Sequence, residues 1–182
     1  KGTAYNSFYF KNMLDNRVSV DFIVPNDNPS DGWVNENKFF GGRFGWSTYL
    51  AEVQPGETLV EAFNRTRAIH INITNKHMNN NVFFSPSLEG RAGKLIACAG
   101  SYNTFYSPRL EGQSIFVHWI QGSLYNQIIY PYHHNEIIAE NYIQEGSRNS
   151  FFGRNFIDLE ETALKSGSFK SHGNPRRSTH YT

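Results

Sequence analysis

The 182-residue chain carries 17 Lys and Arg against 16 Asp and Glu, a formal net charge of +1. This balance gives no electrostatic attraction to nucleic acid or to a membrane surface, and neither is expected as a partner. The single cysteine, Cys98, excludes an internal disulfide and a cysteine-based zinc site. The 15% aromatic content predicts a folded domain with a substantial core.

Most apolar segments have the alternation or aromatic content of β-strands. One helix is predicted over 56–69, after Pro55. A second possible helix covers 88–100, where two glycines weaken the pattern. Strands are predicted at 18–24, 38–50, 69–73, 80–86, 113–122 and 151–159, with a loop or short strand at 126–132 and a strand or helical turn at 136–143.

The composition predicts one domain over 1–162, in which 1–38 has no assigned role. From Ala163 the chain is small, polar and basic without an acidic residue, which predicts a flexible tail over 163–182. The chain starts without Met, and this fits a piece of a larger polypeptide.

One sequence repeat is present. FSPSLEG at 84–90 recurs as YSPRLEG at 106–112. Two copies do not define a solenoid. We therefore interpret the repeat as coincidence in preference to two equivalent turns.

Three polar positions occur in an order that indicates chemistry. Arg43 lies in FFGGRFGW, Ser85-Pro86-Ser87 ends a predicted strand, and Glu136 lies in HHNEIIAENYI. This order of Arg, Ser-x-Ser and Glu resembles the ADP-ribosyltransferase toxins of the cholera and pertussis type.

Further sequence features extend the resemblance over roughly 40–145. The segment PGETLVEAF at 55–63 is similar to the proline-started segment after the family's arginine. A Gly-x-Ser at 112–114 precedes the strand IFVHWI, and Ala139 and Ile143 follow Glu136 at the family's spacing.

The resemblance implies an α+β fold, a split β-sandwich with flanking helices and a cleft for NAD. It implies a mono-ADP-ribosyltransferase in which Glu136 stabilises the oxocarbenium-like ribose. Arg43 would bind the phosphates of NAD, and Ser85 would brace Glu136 and Arg43, with Ser87 as a weaker participant. Phe84 or Tyr132 would pack on the nicotinamide ring.

The resemblance also bears on the acceptor. His134 stands where arginine-modifying members have a second Glu, so we expect an acceptor other than arginine. The loop 123–134, with Tyr132 and His134, would meet a host protein such as actin or a GTPase. The expected protein is a monomeric effector domain secreted by a bacterium and acting in the host cytoplasm.

Three alternatives remain. His133 and His134 with Glu136 suggest a metal site, but neighbours on a strand point to opposite faces, so no metal is predicted. Cys98 and His118 have the order of the nucleophile and base of glutamine deamidase toxins. The Asn- and Tyr-rich composition is also typical of a carbohydrate-binding or viral attachment β-module, in which exposed aromatic residues carry the binding.

Overall fold

The computed structural model describes residues 2–23, 32–46, 53–133 and 141–152. These ranges contain fourteen strands and one helix, and every strand pairing among them is parallel. In chain order the elements are β1 Thr3–Ala4, β2 Ser7–Leu14, β3 Val18–Phe22, β4 Val34–Asn35, β5 Lys38–Gly45, α1 Leu59–Thr66, β6 Ile69–Ile73, β7 Val82–Phe84, β8 Ser87–Cys98, β9 Thr104–Tyr106, β10 Arg109–Trp119, β11 Gln127–Ile129, β12 Tyr132–His133, β13 Tyr142–Gln144 and β14 Ser150–Phe152.

The strands stack as the coils of a solenoid, because each pairs with the equivalent strand of the next coil. The first sheet contains the start of β2, the start of β5, β7, β9, β11 and β14. The second contains the ends of β2 and β5, the starts of β8 and β10, and β12. The third contains β3, β6, the ends of β8 and β10, and β13. A coil therefore makes one circuit of three sheets.

A column of apolar side chains lies on the inward-facing side of the first sheet. Phe39, Phe83 and Phe105 stack with ring centroids 4.5 and 4.7 Å apart, and Ile128 continues the column. All four are buried. Strand alternation puts every second side chain inside, so the column forms a continuous hydrophobic core along the solenoid axis.

A ladder of asparagines closes the corner before the first sheet. In each coil the backbone N–H and Nδ2 of one Asn donate to Oδ1 of the Asn in the next coil, at 2.9 to 3.2 Å. The residue before each Asn has a left-handed φ, between 56° and 60°. The ladder comprises Asn6, Asn37, Asn81, Asn103, Asn126 and Asn149. These bonds satisfy corner groups that would otherwise be buried without partners.

A second corner joins the first sheet to the second. Ser85, Ser107 and Tyr130 have φ of 50°, 45° and 50°, and a proline follows each of them. This corner is the Ser-Pro of the sequence repeat. The interpretation of the repeat as coincidence was therefore wrong, because FSPSLEG and YSPRLEG occupy the same corner and strand in two adjacent coils.

Helix α1 begins with a capping box, in which Thr58 and Glu61 bond to each other's backbone N–H. It ends at Arg67, whose left-handed backbone donates to the carbonyl of Phe63. The helix lies against β8 and β10. The helix predicted over 56–69 is confirmed.

Two other predictions differ from the structure. The possible helix over 88–100 is wrong, because Ser87–Cys98 forms one long strand between two others. The β-rich composition with one helix agrees with the predicted class. The described strands, however, form parallel coils and not the paired sheets of a split β-sandwich.

Candidate functional site

Arg43 and Ser87 lie side by side on the outer face of the second sheet. They are direct register partners in β5 and β8. Both reach Glu89: the Arg43 guanidinium donates three hydrogen bonds of 2.8 to 3.2 Å to its carboxylate, and Ser87 Oγ donates one of 3.1 Å. The structure thus forms an Arg, Ser and Glu set in which the acid is Glu89.

The charges of this set determine its protonation state. The hydrogen bonds from Arg43 hold the pKa of the Glu89 carboxyl below its ordinary value. Burial opposes this effect, and the Ser87 hydrogen bond and the positive charges of Arg43 and Arg109 add to the lowering. The same contact raises the pKa of Arg43. Glu89 is therefore an anion at neutral pH and has no proton to donate.

The next coil repeats the arrangement. Arg109 occupies the position of Ser87, and its guanidinium lies 2.6 Å from Glu111, the register partner of Glu89. On its other side Arg109 lies 5.9 Å from the ring centre of Tyr132. We call Arg43, Ser87, Glu89, Arg109, Glu111 and Tyr132 the polar strip.

An aromatic column runs beside the polar strip, on the outer face of the first sheet. Tyr9, Phe40, Phe84 and Tyr106 stack across four coils with ring centroids 4.9, 5.0 and 5.5 Å apart. The column is open to solvent, since Tyr9 is 78% exposed and Tyr106 40%. We call these four residues the outer stack. Phe40 and Phe84, between these two tyrosines, are half-buried. An apolar row that is partly open to water on the outside of a sheet indicates a contact surface for another molecule.

Ser85 lies at the corner between the outer stack and the polar strip. Its backbone N–H donates to the carbonyl of Tyr106. Arg43 and Ser87 both donate to Glu89, and the bracing of Glu136 and Arg43 predicted for Ser85 stays a prediction, because Glu136 lies outside the described residues. Phe84, predicted to pack on nicotinamide, is the third ring of the outer stack.

Glu136, His134 and Ala139 lie outside the described residues. The neighbouring His133 is described. It hydrogen-bonds the hydroxyl of Tyr142 and packs beside Phe116, and burial lowers its pKa to about 4. His133 is thus a structural residue of the core. Among the described residues no three or more His, Cys, Asp or Glu side chains are grouped to hold a metal ion.

The Cys98 thiol is fully buried. Burial raises its pKa to about 12, and Sγ contacts the ladder amides of Asn103 and Asn126. A thiol in this state is not a nucleophile at neutral pH, which removes the basis of the deamidase interpretation.

His118 belongs to a different group. Its Nδ1 lies 2.7 Å from the Lys94 amine and its Nε2 lies 2.9 Å from Glu145. The Lys94 amine also lies 3.9 Å from the ring centre of Phe63 on α1, and burial lowers its pKa to about 8. This chain of contacts connects α1 to the third sheet.

Sequence reasoning missed Glu89, Arg109 and Glu111. The signal was present, because all three belong to the SPSLEG and SPRLEG copies. SPSLEG and SPRLEG differ only at their third residue. Aligning them makes Ser87 equivalent to Arg109 and Glu89 equivalent to Glu111.

The chain matches no protein-family model, and neither curated proteins nor solved structures show a significant similarity to it. In the described ranges there is no helix with the length and apolar content needed to cross a membrane. The site must therefore be interpreted from its own chemistry.

Proposed function

We propose that the protein is a binding module for an extended glycan, held along the side of the solenoid. The outer stack carries this proposal. Its two end rings, Tyr9 and Tyr106, are exposed and its two middle rings are half-buried. The rings repeat once per coil on a regular strand surface, at the spacing of about 4.8 Å between paired strands.

The chemistry of the two surfaces fits a sugar polymer. The rings of the outer stack cover one another's faces, so their edges form an apolar ridge along which the C–H groups of a sugar chain can pack. The stacked rings are already ordered and lose little side-chain entropy on binding. The adjacent polar strip offers guanidinium donors from Arg43 and Arg109 and carboxylate acceptors from Glu89 and Glu111 to hydroxyl groups. A ligand with repeating units can use equivalent positions in successive coils.

The ionised state of the Glu89 carboxylate favours ligand binding over hydrolysis of a glycosidic bond. A glycosidase of the usual two-carboxylate type needs one carboxyl with a raised pKa as general acid. Arg43 instead keeps the pKa of Glu89 low, and Arg109 holds Glu111. The described carboxylates of the polar strip are therefore suited to accept hydrogen bonds from the hydroxyl groups of a ligand.

Affinity electrophoresis in gels that contain different soluble polysaccharides tests the proposal. We expect retardation in at least one gel, and Tyr106→Ala should weaken it by at least tenfold. Tyr102→Ala is the matched control, because Tyr102 is 52% exposed in a separate stack with Tyr125, at the ladder corner. Equal retardation of the wild type, the Tyr106 variant and a non-binding standard in every gel would contradict the proposal.

The ADP-ribosyltransferase hypothesis remains a second proposal. Its support is the order of Arg43, Ser85-Pro86-Ser87 and Glu136 in the sequence. Against it, Arg43 already donates three hydrogen bonds to Glu89. A phosphate that takes the paired guanidinium contact would have to displace that carboxylate, whereas a sugar hydroxyl needs only one of the remaining N–H groups.

Labelled NAD incubated with a host-cell lysate separates the two proposals. A transferase labels a discrete band, and Glu136→Gln abolishes the label. A glycan-binding module labels nothing, and Glu136→Gln leaves its retardation in the polysaccharide gel unchanged.

A further inference from the structure

In the described part of the chain, the first coil presents an open strand edge at the end of the solenoid. β2 pairs through one edge with β5, and no strand of the described ranges pairs with its other edge. The unpaired backbone groups of such an edge are a template for an added strand.

The core is also open at this end. Phe8 continues the interior column and stacks on Phe39 at 5.0 Å, but it is 37% exposed, whereas Phe39 is 4% and Phe105 0% exposed. Next to it lies a recess of about 430 Å³ between β2 and β3. Its apolar walls come from Phe8, Phe10, Val20, Phe22, Val34 and Phe39.

The ladder shows what the missing neighbour must contain. Every Asn from the second coil onward accepts at Oδ1 the backbone N–H and the Nδ2 of the preceding Asn. Asn6 donates in this way to Asn37, but within the described residues nothing donates to its own Oδ1. One acceptor of a repeated pair of bonds is therefore left at the end of the ladder.

We propose that this end of the solenoid is a docking site for an extended segment of a partner polypeptide that carries the pattern Asn-x-Phe. The segment adds to β2 as a parallel strand. Its Asn donates to Asn6 Oδ1, and its aromatic side chain, two residues later, fills the recess over Phe8. Strand addition of this kind takes affinity from backbone bonds and specificity from alternate side chains.

The chain itself shows that this pattern satisfies the geometry. Asn37-Lys38-Phe39 stands above β2 in the ladder, and Asn81-Val82-Phe83 and Asn103-Thr104-Phe105 follow in the next coils. The residue between Asn and Phe varies because it points outward. A partner is thus recognised by two side chains and by its extended backbone.

A labelled peptide with the sequence of residues 99–107, AGSYNTFYS, tests the proposal against the full chain by fluorescence anisotropy. We expect saturable binding. Asn6→Ala in the protein removes the acceptor of both ladder bonds and should weaken binding roughly five- to thirty-fold. Asn103→Ala in the peptide removes only the Nδ2 bond, because the backbone N–H remains, and should weaken binding about three- to tenfold. Asn6 is exposed, so its variant should fold, and Asn16→Ala, at another exposed position, is the matched control that leaves binding unchanged.

A crosslink tests register and direction. In an added parallel strand the Thr104 position of the peptide lies opposite Ser7, within reach of a disulfide. Ser7→Cys should therefore couple to a Thr104→Cys peptide and not to a Tyr106→Cys peptide. Cys98 does not compete, because it is fully buried.

Three results would overturn the proposal. One is an absence of binding up to the solubility limit of the peptide, as occurs when a segment of this chain already covers the site. Another is equal affinity for the Asn103→Ala peptide. The third is self-association of the wild type that Phe8→Lys abolishes, which would make a second copy the occupant. Glycan retardation is a separate readout that Asn6→Ala should leave unchanged.

Discussion

The fourth coil and the first coil carry the same side chains in different surroundings. Asn103 and Phe105 have a coil on each side and are both fully buried. Asn6 and Phe8 have a described neighbour on one side only and are exposed. In a solenoid each coil is stabilised largely by its neighbours. The same Asn and Phe side chains should therefore contribute less to stability in the first coil than in the fourth.

The largest difference is expected for the interior column. Phe105→Ala leaves a cavity between Phe83 and Ile128 and should lower the free energy of unfolding by about 3–5 kcal/mol. Phe8→Ala, at the open end, should cost about 1 kcal/mol or less. Urea denaturation of the two variants measures both. Equal losses would mean that the first coil is covered as well as the fourth.

The ladder should show the same contrast at a smaller scale. Asn103→Ala removes the acceptor of Asn81 and the donor to the carbonyl of Met78, and both groups are left buried. We expect a loss of about 2–4 kcal/mol. Asn6 is exposed, so water can solvate the groups that Asn6→Ala leaves without a partner. The free energy of unfolding should therefore fall by about 1 kcal/mol at most. Thermal unfolding followed by circular dichroism compares them, and a larger loss for Asn6→Ala would contradict the assignment of the open end.

Two glycines give a matched pair for backbone spacing between coils. Gly112 and Gly122 have left-handed φ of 104° and 91°, so alanine is strained at both. A Cβ at Gly112 would lie 1.8 Å from the carbonyl oxygen of Gly90 in the coil below, whereas a Cβ at Gly122 meets nothing within 4 Å. Gly112→Ala should therefore be about 1–3 kcal/mol more destabilising than Gly122→Ala. Similar melting temperatures would show that the coils separate easily.

The smallest effect is expected at the surface pair of Arg43 and Glu89. Because the folded pKa of Glu89 is below its unfolded value, the pair contributes stability above about pH 4.3, and this is lost as pH falls through the folded pKa. Because Arg43 is 57% exposed, water screens the pair, and Arg43→Gln should destabilise the protein less at pH 7 than the changes to buried residues above. Arg65→Gln, which breaks the exposed pair with Glu57, is the control. Only Arg43→Gln should also reduce glycan retardation, and an equal reduction in both would argue against the polar strip.

Local signals predicted the local elements. Pro55 indicated the start of the helix, and the alternation in IHINI indicated β6. β8 was misassigned because its Ala, Leu and Lys residues favour a helix locally. Its strand conformation is instead imposed by β6 and β10 on either side, and pairing with such distant segments leaves no local pattern.

The site was predicted only in part for a similar reason. Arg43 and Ser87 were selected from sequence, and the structure brings them together. Glu89 was not, because a Glu in Leu-Glu-Gly appears as an ordinary surface residue until the two copies of the repeat are aligned in adjacent coils. The ladder was equally hidden, since its members are separated by 22, 23, 31 and 44 residues.

The uneven spacing of the ladder has a consequence for how this chain can change. Asn37 and Asn81 are 44 residues apart and still form both ladder bonds, at 3.2 and 3.1 Å. Asn81 and Asn103, which are 22 residues apart, form them at 3.0 Å. The chain between Asn37 and Asn81 carries α1 as an excursion that leaves the scaffold intact. The corners of this solenoid therefore accept inserted segments of different lengths. A new segment inserted at a corner would add surface without changing the register of the strands on either side.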